Sequence, residues 1–205
     1  LLFFVFLYCP GDLRDFPWVA RRQRQMCIRD RFQPLVVPEV IRAVIAADRE
    51  GFDAIVVNCF DDPGVREARA RVRTPVFGLS QATFHHACQL GEHLGALVPD
   101  MPGQVAFVQR QIEAMGLVSR MIPQGVRAER KRFTESFAEA LDRPEAMITR
   151  LEAQAHELVD DGADVVVIAC GGVGPVRRRR GRPLGDDRRA MGTPGGRAHA
   201  PDDNR

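Results

Sequence analysis

The chain has 205 residues, enough for one domain or two small ones with a buried core. Twenty-nine basic against 27 acidic side chains leave a formal charge of +2, which gives no global argument for nucleic acid or for an acidic substrate. The basic residues are nearly all arginine, Lys131 being the only lysine, a pattern of GC-rich coding rather than of a binding surface. Five cysteines, Cys9, Cys27, Cys59, Cys88 and Cys170, form an odd set without CxxC or Cys/His ligand spacing. No metal site is expected, and reduced thiols in a cytoplasmic protein are the better reading.

Residues 1–8 are apolar but far shorter than the roughly 20 residues of a membrane helix, and they lack the basic leader of a signal peptide. No targeting segment or membrane partner is expected. Residues 1–31 show no sustained helix or strand period. The run Gln25-Met-Cys-Ile-Arg-Asp-Arg31 has the look of translated adapter sequence from a metagenomic assembly. This segment is set outside the fold.

The ordered part begins near Phe32. Val40, Ile41, Val44 and Ile45 recur at helical spacing, which predicts a helix over 38–50 closed by Gly51. The continuous apolar run 54–57 predicts a strand buried on both faces. Asp61-Asp62-Pro63-Gly64 predicts the start of a second helix, with an acidic cap and a proline in its first turn, running to about Arg71. A short strand over 75–79 follows, then a helix over 81–90 capped by Ser80 and ended by Gly91. A third strand is expected over 94–98 and a helix over 105–115 stopped by Gly116; residues 117–126 stay ambiguous. Pro144 opens a helix to Asp161, Gly162 stops it, and 164–169 forms the last strand. From Val176 onward Arg, Gly, Pro and Asp leave too little apolar surface to fold, and a disordered or out-of-frame tail is expected. Strands alternating with helices imply parallel βαβ units.

Two segments repeat. Gly51-Phe-Asp-Ala-Ile-Val-Val-Asn-Cys59 returns as Gly162-Ala-Asp-Val-Val-Val-Ile-Ala-Cys170, each following an amphipathic helix and each delivering a thiol where its strand ends. Ligands of α/β sheets bind beyond the C-terminal ends of strands. A lone cysteine there is more often an inert packing residue; two at equivalent positions of a duplicated fold shift the balance toward chemistry. Cys59 precedes a helix start, where unpaired N–H groups favour a thiolate. Gly171 and Gly172 let backbone N–H groups approach a ligand oxygen. His85, His86 and His156 read as surface or structural histidines, and Cys88 as core packing. Asp61 and Asp62 read as caps rather than metal ligands. Gly171-Gly-Val-Gly174 lacks the full pattern of a phosphate loop.

The segments 53–64, Pro75-Val-Phe-Gly-Leu-Ser-Gln-Ala82 with His85, and 161–172 resemble the Asp/Glu racemase superfamily, and within it the hydantoin racemases. The resemblance covers roughly 32–175. It implies an α/β fold of two similar small lobes with parallel sheets flanked by helices, the first over 32–80 and without its opening strand, the second over 81–175, and a site in the cleft between them. It implies a cofactor-independent racemase or epimerase of hydantoin, allantoin or amino-acid-derived small molecules, with Cys59 and Cys170 exchanging the roles of base and acid. Asn58, Phe60, His85, Gly171 and Gly172 are the expected substrate contacts. The resemblance leaves room for a homo-oligomer. An incomplete and inactive copy is a further expectation, because the Arg/Gly tail stands where more strands and helices are due. A relative working through one cysteine, like a maleate isomerase or arylmalonate decarboxylase, is the alternative within enzymes. Outside them, it is a redox protein pairing Cys59 with Cys170.

Overall fold

A computed structural model of the chain describes residues 2–6 and 33–170. Two three-stranded parallel sheets make up these residues, and helices flank both. In the first, β1 (Leu2–Phe6), β2 (Ala54–Asn58) and β3 (Val76–Gly78) lie in that order, with β2 central. In the second, β4 (Leu94–Asp100) is central between β5 (Met121–Arg132) and β6 (Val165–Ile168). Helices α1 (Gln33–Arg49) and α2 (Val65–Arg69) belong to the first sheet. Helix α3 (Leu79–Leu90) leads to the second sheet, with α4 (Gln104–Ala114), α5 (Phe133–Asp142) and α6 (Pro144–Asp160). The two lobes are similar α/β units, as the repeat implies. No helix among the described residues is long and apolar enough to cross a membrane.

The duplication extends to the way each helix hands over to its strand. At the end of α1 the N–H of Gly51 bonds to the carbonyl of Asp48 and that of Phe52 to Ala47; at the end of α6 Gly162 bonds to Val159 and Ala163 to Leu158. Both are the paired 5→2 and 6→1 closures of a left-handed helix stop, and the glycines hold φ of +80° and +104°. A side chain there would strain the backbone, so the same residue type recurs for the same reason. Each strand then carries one face in a core, with its other face half-buried. Ile55 and Val57 lie in the core beneath α1, while Val167 and Ala169 join one core of the second sheet and Val166 and Ile168 pack against the other.

Several expectations shift. Leu2–Phe6, set outside the fold by the sequence, pairs in parallel with β2 from Leu2 opposite Ala54 to Phe6 opposite Asn58. Five consecutive apolar residues are too few to show a period, yet they suit a parallel strand. Helix α1 begins five residues earlier than expected and carries Pro38 inside it. The ambiguous stretch resolves into a turn of 3-10 helix, Val118–Arg120, and the long strand β5. That strand bends where Gln124 takes φ +50° and the register with β4 shifts. The tail beyond Val176 lies outside the described residues.

Candidate active site

The two thiols of the repeat sit where the sequence puts them, one step past β2 and two past β6. Cys59 is 6% exposed within the core of the first sheet. Cys170 is half-buried and its N–H bonds to the carbonyl of Ile168 at 2.9 Å. Neither of them, nor Cys88, forms a disulfide. Asn58, at the end of β2 opposite Phe6, is half-buried. Phe60 is buried in the core of the second sheet, where its ring meets Phe84 edge-on at 5.7 Å. His85 is exposed on α3, and its Nδ1–H donates to the carbonyl of Gln81 at 2.8 Å. Gly171 and Gly172 lie outside the described residues.

Cys170 also lines a shallow pocket, open to solvent, at the C-terminal ends of the second sheet. Pro99, Phe133, Phe137 and Met147 give it apolar walls, and Glu129 and Ser136 are its polar side chains. Glu129 is only 8% exposed, and its carboxylate accepts from Ser136 Oγ at 2.6 Å and from Arg150 at 2.7 Å. Arg150 reaches Glu139 with its other nitrogen, and Lys131 joins Glu139 at 3.0 Å. The Arg150 and Lys131 cations hold the Glu139 carboxyl below the usual carboxylate range. These contacts fix the Glu129 side chain in the pocket wall. The sequence pointed to neither Glu129 nor Ser136, because they meet across the turn from β5 into α5, a contact that no local spacing of residues announces.

The loop after Cys59 corrects one expectation in detail. Asp62 does not cap α2, whose first turn follows Gly64 without a side-chain cap. Its carboxylate instead caps α3, accepting the N–H of Ser80 and of Gln81 at 2.9 Å each. Ser80, expected as that cap, lies inside the helix and is fully buried. Burial pushes the Asp62 carboxyl up to about 6, against the opposing pull of the two amides. Neighbouring Asp61 accepts from Gln104 Nε2 at 2.8 Å. No group of His, Cys, Asp and Glu among the described residues is arranged to hold a metal ion.

Two α/β lobes, each ending its repeated strand in a thiol, match one family model. Residues 24–186 fit the Asp/Glu/hydantoin racemase family. The chain belongs to this family. Among curated proteins it is similar to a hydantoin racemase of Rhizobium meliloti, 24% identical over 143 residues that make up 69% of this chain and 56% of the relative. A hydantoin racemase of Pseudomonas sp. (strain NS671) is 26% identical over 141 residues, 68% of this chain and 53% of that one. The chain therefore spans little more than half the length of these family members. Among solved structures, an allantoin racemase from Klebsiella pneumoniae superimposes with a TM-score of 0.61 at 19% identity, over 72% of this chain and 58% of the other. That likeness concerns the fold.

Proposed function

We propose that the chain carries the two-thiol site of a cofactor-independent racemase acting on hydantoin-type rings, with Cys59 and Cys170 as the proton-transfer pair. The observation that carries this reading is the equivalent placement of the two thiols at the C-terminal ends of corresponding strands in two similar lobes. Family membership and the names of the relatives support it.

The chemistry suits thiols. One thiolate takes the proton from the ring carbon, and the electron pair of that C–H bond moves into the adjacent carbonyl as an enolate. The other thiol then donates its S–H proton to the opposite face, leaving itself the thiolate, so the two exchange roles with each turnover. An unperturbed thiol pKa of about 8.5 lies close enough to neutrality for both roles. A neutral imide-like ring makes the carbanion accessible without a cofactor. Backbone N–H groups beside the two cysteines are the donors suited to the enolate oxygen.

The test is racemisation and α-proton exchange of a 5-substituted hydantoin in D₂O near neutral pH, by the 205-residue chain and its Cys59→Ala and Cys170→Ala variants. Racemisation should fall by about 100-fold or more in each variant, the usual scale of a lost general acid or base. Residual exchange should be confined to one enantiomer, the opposite one in the two variants, because each remaining thiol addresses one face. A parental rate in either variant, or no racemisation by the parent chain, refutes the assignment.

A further inference from the structure

The chain passes from one lobe to the other in a single step after Cys59. The Cys59 side chain belongs to the core of the first sheet and Phe60 to the core of the second. The next two residues are both tied to helices that pack on the second sheet. Asp61 Oδ1 accepts from Gln104 Nε2 at 2.8 Å, and its backbone carbonyl accepts from Gln111 Nε2 at 3.0 Å. Gln111 is held in turn by the hydroxyl of the fully buried Ser80, which donates to its Oε1 at 3.3 Å. Asp62 spans the second and third amides of α3, those of Ser80 and Gln81, with its two carboxylate oxygens. Its own N–H returns to the carbonyl of Cys59 at 3.0 Å, in a turn tight enough that Asp62 takes φ +47°.

A cap alone would need one of these contacts. Here an acidic pair joins the loop that carries a thiol of the first lobe to two helices of the second. We propose that Asp61 and Asp62 are positioning residues that lock the Cys59 loop onto α3 and α4, so that this thiol keeps a fixed place relative to the lobe bearing Cys170. The proposal takes its functional meaning from the reading of Cys59 as a reacting thiol. The lock itself is a property of the loop, and its test requires no turnover.

Cys59 is 6% exposed, so its alkylation waits on opening of the loop. The rates of iodoacetamide modification of Cys59 and Cys88, resolved by peptide mass spectrometry on the full chain, report that opening against the general looseness of the fold. Asp62→Ala removes hydrogen bonds to a charged acceptor and should speed Cys59 modification by about tenfold or more, with Cys88 changed less than about twofold. Gln104→Met, nearly the same shape without the amide, should act in the same direction by a smaller factor and decides the matter if Asp62→Ala does not fold. Thr74→Ala is the control. It cuts the 2.7 Å bond from Thr74 Oγ1 to Asp48, at the opposite end of the first sheet, and should leave the ratio of the two rates unchanged. An unchanged Cys59 rate in the clamp variants overturns the proposal, as does an equal rise of Cys59 and Cys88. A chain that fails to racemise hydantoins but shows the selective rise keeps the lock and loses the racemase.

Discussion

Gly78→Ala is the sharpest test of how the Cys59 loop is built. The backbone at this position, φ −94° and ψ 141°, is one that alanine adopts freely. With open space around it, the substitution should therefore stabilise the protein by about 0.4–1 kcal/mol through the unfolded chain. The space is not open. A Cβ at Gly78 would stand 2.5 Å from the Asp62 carboxyl carbon and 2.5 and 2.7 Å from its oxygens. Non-bonded carbons approach best at about 3.5–4.0 Å, so the carboxylate has to leave at least one of its two amides. Each hydrogen bond to a charged group contributes about 1.5–3 kcal/mol. Allowing for water at the displaced oxygens, the net cost is about 2–4 kcal/mol. For a chain of this size 1 kcal/mol shifts Tm by about 2–4 °C, so circular dichroism at pH 8 should record a fall of roughly 5–15 °C. In an Asp62→Ala background the obstacle is gone, and adding Gly78→Ala should cost less than about 1 kcal/mol. The double-mutant cycle then gives a coupling of about 2 kcal/mol. A Gly78→Ala protein as stable as the parent, or strictly additive costs, would refute the reasoning.

Two further outcomes follow from the charges. The carboxyl of Asp62 is raised to about 6 from an ordinary value of 3.8, because burial penalises its charged form. The folded state thus binds this proton more tightly than the unfolded chain, and its contribution to stability is full below about pH 4 and lost as pH rises to about 6. Asp164, whose carboxylate accepts the N–H groups of His93 and Glu92, is shifted downward and contributes in the opposite sense as pH falls. A carboxyl-carbon NMR titration should place Asp62 near 6 and Asp164 below 3.8, and reversal of that order rejects the account. Arg150→Met removes the cation shared by Glu129 and Glu139. Stranding the 8%-exposed Glu129 carboxylate should cost about 3–5 kcal/mol in urea unfolding, and adding Glu129→Gln should recover a good part of it.

Much of the frame was legible in the chain. Helices stopped by Gly51 and Gly162, strands of unbroken apolar residues, and thiols at strand ends all depend on neighbours a few residues apart. The repeat made them readable twice. The second half of the fold was less legible because β5 bends at Gln124 and loses its period. Glu129 and Ser136, which line the pocket beside Cys170, were hidden because they meet only across the turn from β5 into α5.

By itself the sequence determined β2, β3, β4 and β6, the helices that precede β2 and β6, and the positions of Cys59 and Cys170 at strand ends, because helix stops, strand burial and turn chemistry are local; β1 and β5 it did not. Only the tertiary structure decided what the residues after Cys59 do. Phe60 is committed to the core of the other lobe, and Asp62 caps a helix that starts 17 residues downstream rather than the one beside it. An aspartate before Pro-Gly reads as a local cap in any chain. Which amides it meets is settled by the packing of β2 against β3, which brings Gly78 and the start of α3 against its carboxylate.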